Sequence, residues 1–329
     1  MWRRIQKTLA TLLPILFLLA AMVLAASYLN RWDGMVALTL VPIWAWAGLG
    51  MVLSLLAWLV TRGSGLLVTF SLFLGLGLAF SEETRGLLRE FSRSIEPKTV
   101  PDGRVLIRVV SFDLEGADSD LRRVADWEPQ ILLLQGVPDG VPLEEFGESL
   151  HGEGSIVLAE DGLAILAHGE LLNSLSEENG KVLHARLRLT GGLVVDTSTL
   201  VLGRCAPSYT LWNPATWHAL AEARTTNRRK LRSYQGEHQI SLATTARIIG
   251  GAFNTPPGDD VFRPLEGNGM VDVHRVAGLG WGNTYPSEYP ALRLDQIWVS
   301  ANLEPFETRT RMIPGTTRRA VVSDLLLPE

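Results

Sequence analysis

The chain has 329 residues, 47% of them hydrophobic and 20% charged, with a formal net charge of -5. A strong basic bias, the usual footprint of a nucleic-acid partner, is absent. The single cysteine, Cys205, excludes an internal disulfide framework and leaves the compartment open.

Three early runs contain no charged residue: Thr8 to Asn30, Gly34 to Thr61 and Gly63 to Ser81. A helix crosses a bilayer core with about 20 apolar residues. The pattern predicts spans at residues 9–29, 35–60 and 64–81, which together make residues 1–81 a membrane anchor. The third run is rich in glycine, a residue commoner in membrane helices than in soluble ones. A cleaved signal peptide is excluded, because only Arg31-Trp32-Asp33 and Arg62 separate the first run from two more. Trp2, Tyr28, Trp32 and Trp58 stand near the run ends, where amphipathic rings favour the interface. Arg3, Arg4 and Lys7 hold the N-terminus in the cytoplasm, and Arg62 suits a second cytoplasmic turn. A multi-pass cell-membrane protein with an extracytoplasmic remainder is expected, and the lipid bilayer is its first expected partner. Without the third span the remainder would be cytoplasmic.

Residues 82–101 are charged and carry Pro97 and Pro101, as in a short juxtamembrane helix followed by a linker. Residues 102–329 suit one large α/β domain. Strands are predicted at Val105–Val110, Ile131–Leu134, Ser155–Leu158, Leu163–Ala167, Val182–Leu189 and Leu193–Thr197. Four more follow at Arg247–Ala252, Leu294–Ser300, Phe306–Met312 and Ala320–Leu326. A helix is predicted over Asp118–Trp127, with Asp118 as its cap and Leu121, Val124 and Ala125 on one face. A long polar helix is predicted from Pro214 to Thr244, with Leu220, Leu231, Tyr234 and Leu242 inward. Alternating strands and crossover helices imply α/β with mixed sheets.

The stretch RIIGGAFNTPP (Arg247–Pro257) raises a question, because a buried strand ends on two glycines and presents Asn254 at its tip. That is the shape of an active-site edge, yet the side chain before Phe253 is the methyl group of Ala252. Together with VVSFDLEG (Val109–Gly116), EPQILLLQGV (Glu128–Val137), NTYPSEYPALRLDQIWVS (Asn283–Ser300) and TTRRAVVSDLLL (Thr316–Leu327), the stretch resembles the endonuclease/exonuclease/phosphatase superfamily. Some members are membrane-bound bacterial proteins with N-terminal spans. The resemblance covers most of Arg104–Leu327 and implies a four-layer α/β fold, a two-sheet β-sandwich flanked by helices, here preceded by transmembrane helices. It also implies a metal-dependent phosphoester hydrolase site at one edge of the sheets. Hard Mg²⁺ would be held by oxygen ligands, with a base for the attacking water.

By that resemblance, an Asn ending the first strand and a Glu after a Leu-Gln pair help hold the metal. A His in a central strand and the Asp and Asn of a Gly-Asp-Phe-Asn run act on phosphate and water. An Asp of an Arg-Ile-Asp run orients the His of a late Ser-Asp-His run, whose own Asp is near the metal. Here the first Asn is Asp113, the Glu after Leu134-Gln135 is Gly136, and the strand VVDTSTL has no His. The Asp beside Asn254 is Ala252, and the late run reads Thr316-Thr317-Arg318. Asn254, Arg293 and Asp295 are retained.

Groups that act as a unit lose most of the rate when one is removed. The expectation is therefore a pseudoenzyme that acts by binding an unidentified protein or phosphorylated ligand, without a cofactor. The candidate site residues are Asn254, Asp295 and Asp113. The alternative is an active Mg²⁺-dependent phosphodiesterase or phosphatase on an extracytoplasmic phosphoester, in which Asp113 and Asp196 rebuild a metal site. A DNA-repair nuclease fits poorly with three spans. If Asp295 and Arg318 take the family's Asp and His positions, an ion pair should join them, with bidentate geometry open to it. The cluster Arg224, Arg228, Arg229, Lys230 and Arg232 reads as a solvated helix face, and the six histidines show no zinc spacing.

Overall fold

The computed structural model describes residues 1–116, 121–177, 182–207, 210–237 and 246–327. The chain divides into two compact units, Met1–Arg85 with Ala206–Arg224, and Gly86–Cys205 with Thr225–Glu329.

The first unit is helical: α1 (Trp2–Asn30), a 3-10 turn (Asp33–Met35), α2 (Val36–Leu40), α3 (Ile43–Thr61), α4 (Gly65–Phe80) and the first turn of α5 (Glu82–Ile95). Of these, α1 (29 residues) and α3 (19 residues) are long and apolar enough to cross a membrane. The third candidate is α4 together with α5, a pair bent by 68° at the break after Phe80. The second predicted span is shorter than expected, because helix is interrupted between α2 and α3. Pro42 has no N–H and pushes the residue before it out of helix, and Val41 is extended (φ -74°, ψ 128°). Between α3 and α4 the hydroxyls of Ser54 and Thr69 meet at 3.0 Å, a buried polar contact of the kind that joins helices in lipid.

The segment Ala206–Arg224 packs in this unit and not in the α/β domain, where it was expected. Arg224 gives the reason. Its side chain is fully buried and donates to the carbonyls of Arg31 (3.4 Å) and Trp32 (3.2 Å) and to Thr39 Oγ1 (2.6 Å), 3.7 Å from Asp33.

The second unit contains β1 (Leu106–Asp113), α6 (Arg122–Ala125), β2 (Ile131–Gln135), α7 (Leu143–His151), β3 (Ser155–Glu160), β4 (Leu163–Glu177), β5 (Val182–Leu189) and β6 (Val194–Val201). Then come α8 (Pro214–Glu237, entering this unit at Thr225), β7 (Ala246–Ala252), α9 (Arg263–Gly267), β8 (Met270–Asp272), α10 (Val273–Ala277), β9 (Asp295–Ser300), β10 (Glu304–Met312) and β11 (Arg319–Leu326). Asp118 and Leu242 lie outside the described residues, so the cap and one inward position are not placed. Leu231 and Tyr234 are buried as predicted.

The fold is mixed α/β around one large curled sheet, in the order β10-β11-β1-β2-β4-β5-β6-β7-β9-β8, with β3 also on β4. Where two separate sheets were expected, β4 belongs to both halves. It runs on to Glu177 where Ala167 was the predicted end, pairing with β2 and β3 first and with β5 from Gly169 onward. One apolar cluster joins the halves, with Val109, Ile131 and Leu133 from one side and Leu187, Val195, Ile248 and Ile297 from the other.

The glycines of IIGGA permit close packing, Gly250 against the opposite half and Gly251 against the adjacent strand β6. A Cβ on Gly250 would come within 2.5 Å of Leu133 Cδ1 and 3.1 Å of Ser111, both on the opposite half. On Gly251 it would meet the Leu200 carbonyl oxygen at 2.2 Å. The backbone approaches too closely there for any side chain.

Candidate functional site

One edge of the curled sheet gathers the ends of β1, β2, β6 and β7 with the starts of β9 and β11. Register places Asp113 opposite Gln135, Val201 opposite Ala252, and Ala252 opposite Asp295. The tip of β7 and the start of β9 are therefore held side by side by ladder hydrogen bonds. Gln135 bridges the halves beneath this edge, its Nε2 donating to Thr199 Oγ1 at 2.7 Å and to Ser111 Oγ at 3.3 Å.

Arg318 lies at the centre. It is buried, and its position is fixed by a turn in which Thr316 Oγ1 donates to the carbonyls of Ile313 and Arg318, both at 2.8 Å. Nε donates to Glu115 Oε1 at 2.7 Å and lies 3.3 Å from Asp113 Oδ2. Nη1 donates to Asp295 at 3.1 and 3.4 Å, and Nη2 donates to Asn254 Oδ1 at 2.7 Å. The expected Asp295–Arg318 ion pair therefore forms. A single nitrogen straddles both oxygens in place of a two-nitrogen fork, because the fork's other nitrogens serve Glu115 and Asn254. The ring of Tyr285 stacks 5.5 Å from this guanidinium and 5.4 Å from that of Arg204.

The backbone has adapted to this arrangement. Asn254 sits at φ 53°, a left-handed conformation that Asn tolerates, and its Nδ2 donates to the Leu202 carbonyl at 2.9 Å. Asp113 Oδ1 accepts from the Glu115 N–H at 2.9 Å, a local turn that carries Glu115 (φ 49°) back over Arg318. Gly136 has φ 61°, and a Cβ there would lie 2.8 Å from Glu115 N and 2.9 Å from Asp113 Oδ1. A glutamate at position 136 is thus excluded by both conformation and space, not merely missing.

Three described carboxylates share the guanidinium of Arg318, with Arg204 adding a smaller influence at Glu115, so the cluster is short of positive charge. Burial pushes Asp295 up to about 6 despite Arg318, and the charge of Asp113 adds to the rise. Asp113 is also raised, by burial first, with Arg318 opposing. Burial acts to raise Glu115 as well, but its hydrogen bonds from Thr317 and Arg318 outweigh it and hold Glu115 below its ordinary value. Burial opposes the charged form of Arg318, yet the carboxylates outweigh it and hold its pKa above the usual arginine value.

Two other predicted features lie apart from this cluster. Asp196, well down β6, is 3.8 Å from Arg186 Nε and 4.0 Å from His184 Nε2. It faces these groups, not Asp113, and no rebuilt site joins the two. Arg293 forms a buried fork with Asp272, at 2.9 and 2.6 Å. The basic cluster on α8 is not a uniform solvated face: Arg224 is buried and Arg228 pairs with Asp260, while Arg229, Lys230 and Arg232 are exposed. Glu115 was missed by the sequence reading. Its signal was the Asp-Leu-Glu-Gly turn after β1, which returns an acid to the strand end.

The divalent metal implied by the resemblance does not fit these residues. Asp113, Glu115 and Asp295 are already engaged by a cation carried on the chain itself, and position 136 cannot bear a ligand. Among the described residues no group of three or more His, Cys, Asp or Glu side chains is arranged to hold a metal ion.

Comparison with known proteins accords with the fold. No curated protein matches the sequence. A conserved protein of unknown function from Enterococcus faecalis V583 superposes with a TM-score of 0.50 at 10% identity, covering 67% of this chain and 99% of its own. An endonuclease/exonuclease/phosphatase family protein from Bacteroides thetaiotaomicron matches at 12% identity, over 69% and 99% of the two chains (TM-score 0.49). The human Nocturnin catalytic domain with bound sulfate matches at 15%, over 68% and 97% (TM-score 0.49). The family model for endonuclease/exonuclease/phosphatase proteins matches residues 110–324. By that match, over well more than half its length, the chain belongs to the endonuclease/exonuclease/phosphatase family.

Proposed function

We propose that this protein is a membrane-anchored member of the family whose folded domain acts by binding and not by phosphoester hydrolysis. The observation that supports this reading is the guanidinium of Arg318, hydrogen-bonded or ion-paired to Asp113, Glu115 and Asp295, three described carboxylates at the strand edge. Arginine stays protonated at any working pH, so it cannot serve as the titrating base that a late His supplies in the family. Ala252, opposite Asp295, has no proton-accepting group. An edge built this way can position a loop or receive a partner, while the carboxylates that could otherwise activate water are engaged by Arg318.

In the same reading α1, α3 and the region of α4 cross the cell membrane. With Arg3, Arg4 and Lys7 in the cytoplasm, three crossings put the domain on the outer side. Its partner there would be a protein or a phosphorylated ligand.

Incubation of the full-length protein in detergent with a generic phosphodiester, such as bis-p-nitrophenyl phosphate, tests the reading. With Mg²⁺ or Mn²⁺ present, no turnover above buffer is expected. Restoring one acid alone (Ala252→Asp) is expected to leave activity absent, because Gly136 and Arg318 remain. Metal-dependent turnover that disappears in Asp113→Ala would overturn the proposal.

A further inference from the structure

Helix α5 presents two opposed faces. On one, Arg89 donates to the carbonyls of Gly278 (2.8 Å), Arg275 (3.0 Å) and His274 (3.0 Å), gathering the C-terminal carbonyls of α10. Two turns of sequence around it add to this grip. The Gly280 N–H donates to the Gly86 carbonyl (3.1 Å), Arg93 donates to the Phe306 carbonyl (3.1 Å), and Glu90 pairs with Arg309 (2.7 Å). Residues 86, 89, 90 and 93 recur at helical spacing, so one stripe of α5 is fixed to the α/β domain.

The opposite stripe is apolar and uncovered. Leu87, Leu88, Phe91 and Ile95 follow the same three- and four-residue spacing, and Leu88, Phe91 and Ile95 are 62%, 67% and 70% exposed. Four large apolar side chains on one face of a fourteen-residue helix are not scattered surface hydrophobics. Low overall hydrophobicity with a sharply divided face is the pattern of a helix lying in the membrane interface.

We propose that α5 is an interfacial helix, its Leu87-Leu88-Phe91-Ile95 face embedded at the headgroup boundary and its arginine face holding the α/β domain. What covers the face follows from chain continuity. Ser81 alone separates α5 from α4, an uncharged apolar helix, and the chain bends by 68° at that break. Helix α5 thus begins where the apolar run of α4 ends, and lipid is the apolar phase within reach. The proposal rests on the reading that the N-terminal helices cross a bilayer.

Full-length protein in liposomes, with a nitroxide label at Phe91→Cys or Ile95→Cys, tests it by collision with oxygen and with a water-soluble nickel chelate. Native Cys205 is buried. Label sites at Leu56, exposed on α3, and Asp139, exposed on the α/β domain, serve as lipid and water references. The expected oxygen-to-nickel ratio at 91 and 95 is several-fold above that at 139 and of the same sense as at 56. A ratio equal to that at 139, with 56 in lipid, would overturn the interfacial assignment alone. Low access to both reagents at 91 and 95 would mean a protein partner or second copy on the face, and would also overturn it. Nickel access at 56 itself would overturn the membrane anchoring, and the proposal with it.

Discussion

At the scale of single residues, the site is governed by the balance of one guanidinium against Asp113, Glu115 and Asp295. Removing one partner of a buried ion cluster leaves uncompensated charge and costs about 3–5 kcal/mol. Arg318→Ala is therefore expected to lower the melting temperature of the full-length protein by on the order of 10 °C, at about 2–4 °C per kcal/mol. Arg318→Lys keeps the charge but not the fork, and should fall between that variant and wild type. A melting temperature unchanged in Arg318→Ala would show that the cluster is not structural. Asp295 adds a pH dependence whose sign is fixed by linkage. Its folded value, about 6, lies above the unfolded carboxylate value, so the native state holds the extra proton between those values. Its contribution to stability is thus fully present at acid pH and lost as pH rises through about 6. His274 acts in the opposite direction. Burial first, then Arg293, pushes it down to about 3, and its contribution is lost as pH falls from 6.5 toward that value. In melting curves from pH 4 to pH 7, Asp295→Asn should gain stability relative to wild type as pH rises. A wild-type-minus-variant difference that is flat over that range would contradict the assignment.

At the scale of elements, the close approach of the sheet's two halves decides what β7 can contain. Gly250→Ala inserts a methyl group against Leu133 and Ser111, overpacking that typically costs about 1–3 kcal/mol. Gly267→Ala in α9, where nothing lies within 4 Å, should be close to neutral. Chemical denaturation of both variants compares them directly, and equal effects would remove the close-approach explanation. The strands were legible in the sequence because runs such as ILLL in β2 and IIGGA in β7 are apolar throughout, as burial on both faces demands. The length of β4 was not legible. Beyond Ala167 it reads HGELLNSLSE, polar and interrupted by Gly169, and only pairing with β5 makes it strand. The short elements α9, β8 and α10 carry too few residues for any period to show. The break at Pro42 was readable, and the uncharged run concealed it.

At the scale of the whole molecule, the chain keeps the family fold, and the proposed reading is that the groups making its chemistry have been exchanged. The absence of a Glu at 136 and a His at 318 could be read from the motifs alone. The consequence could not, since it depends on which groups the folded edge brings within 3.5 Å of Arg318, Glu115 among them. Two carboxylates read as a rebuilt site, Asp113 and Asp196, face different partners once folded, because Asp196 points to His184 and Arg186. The long apolar N-terminal helices were legible from uncharged runs, whereas the return of Ala206–Arg224 to that unit was not, because it depends on one buried arginine. In the proposed reading, an internal cation has replaced metal-dependent chemistry at the strand edge. Titration of the full-length protein with Mn²⁺, followed by the loss of the free-ion paramagnetic resonance signal, tests it most directly. The same titration curve is expected for wild type and Asp113→Asn, with no saturable site. One saturable Mn²⁺ site in wild type that disappears in Asp113→Asn would contradict it.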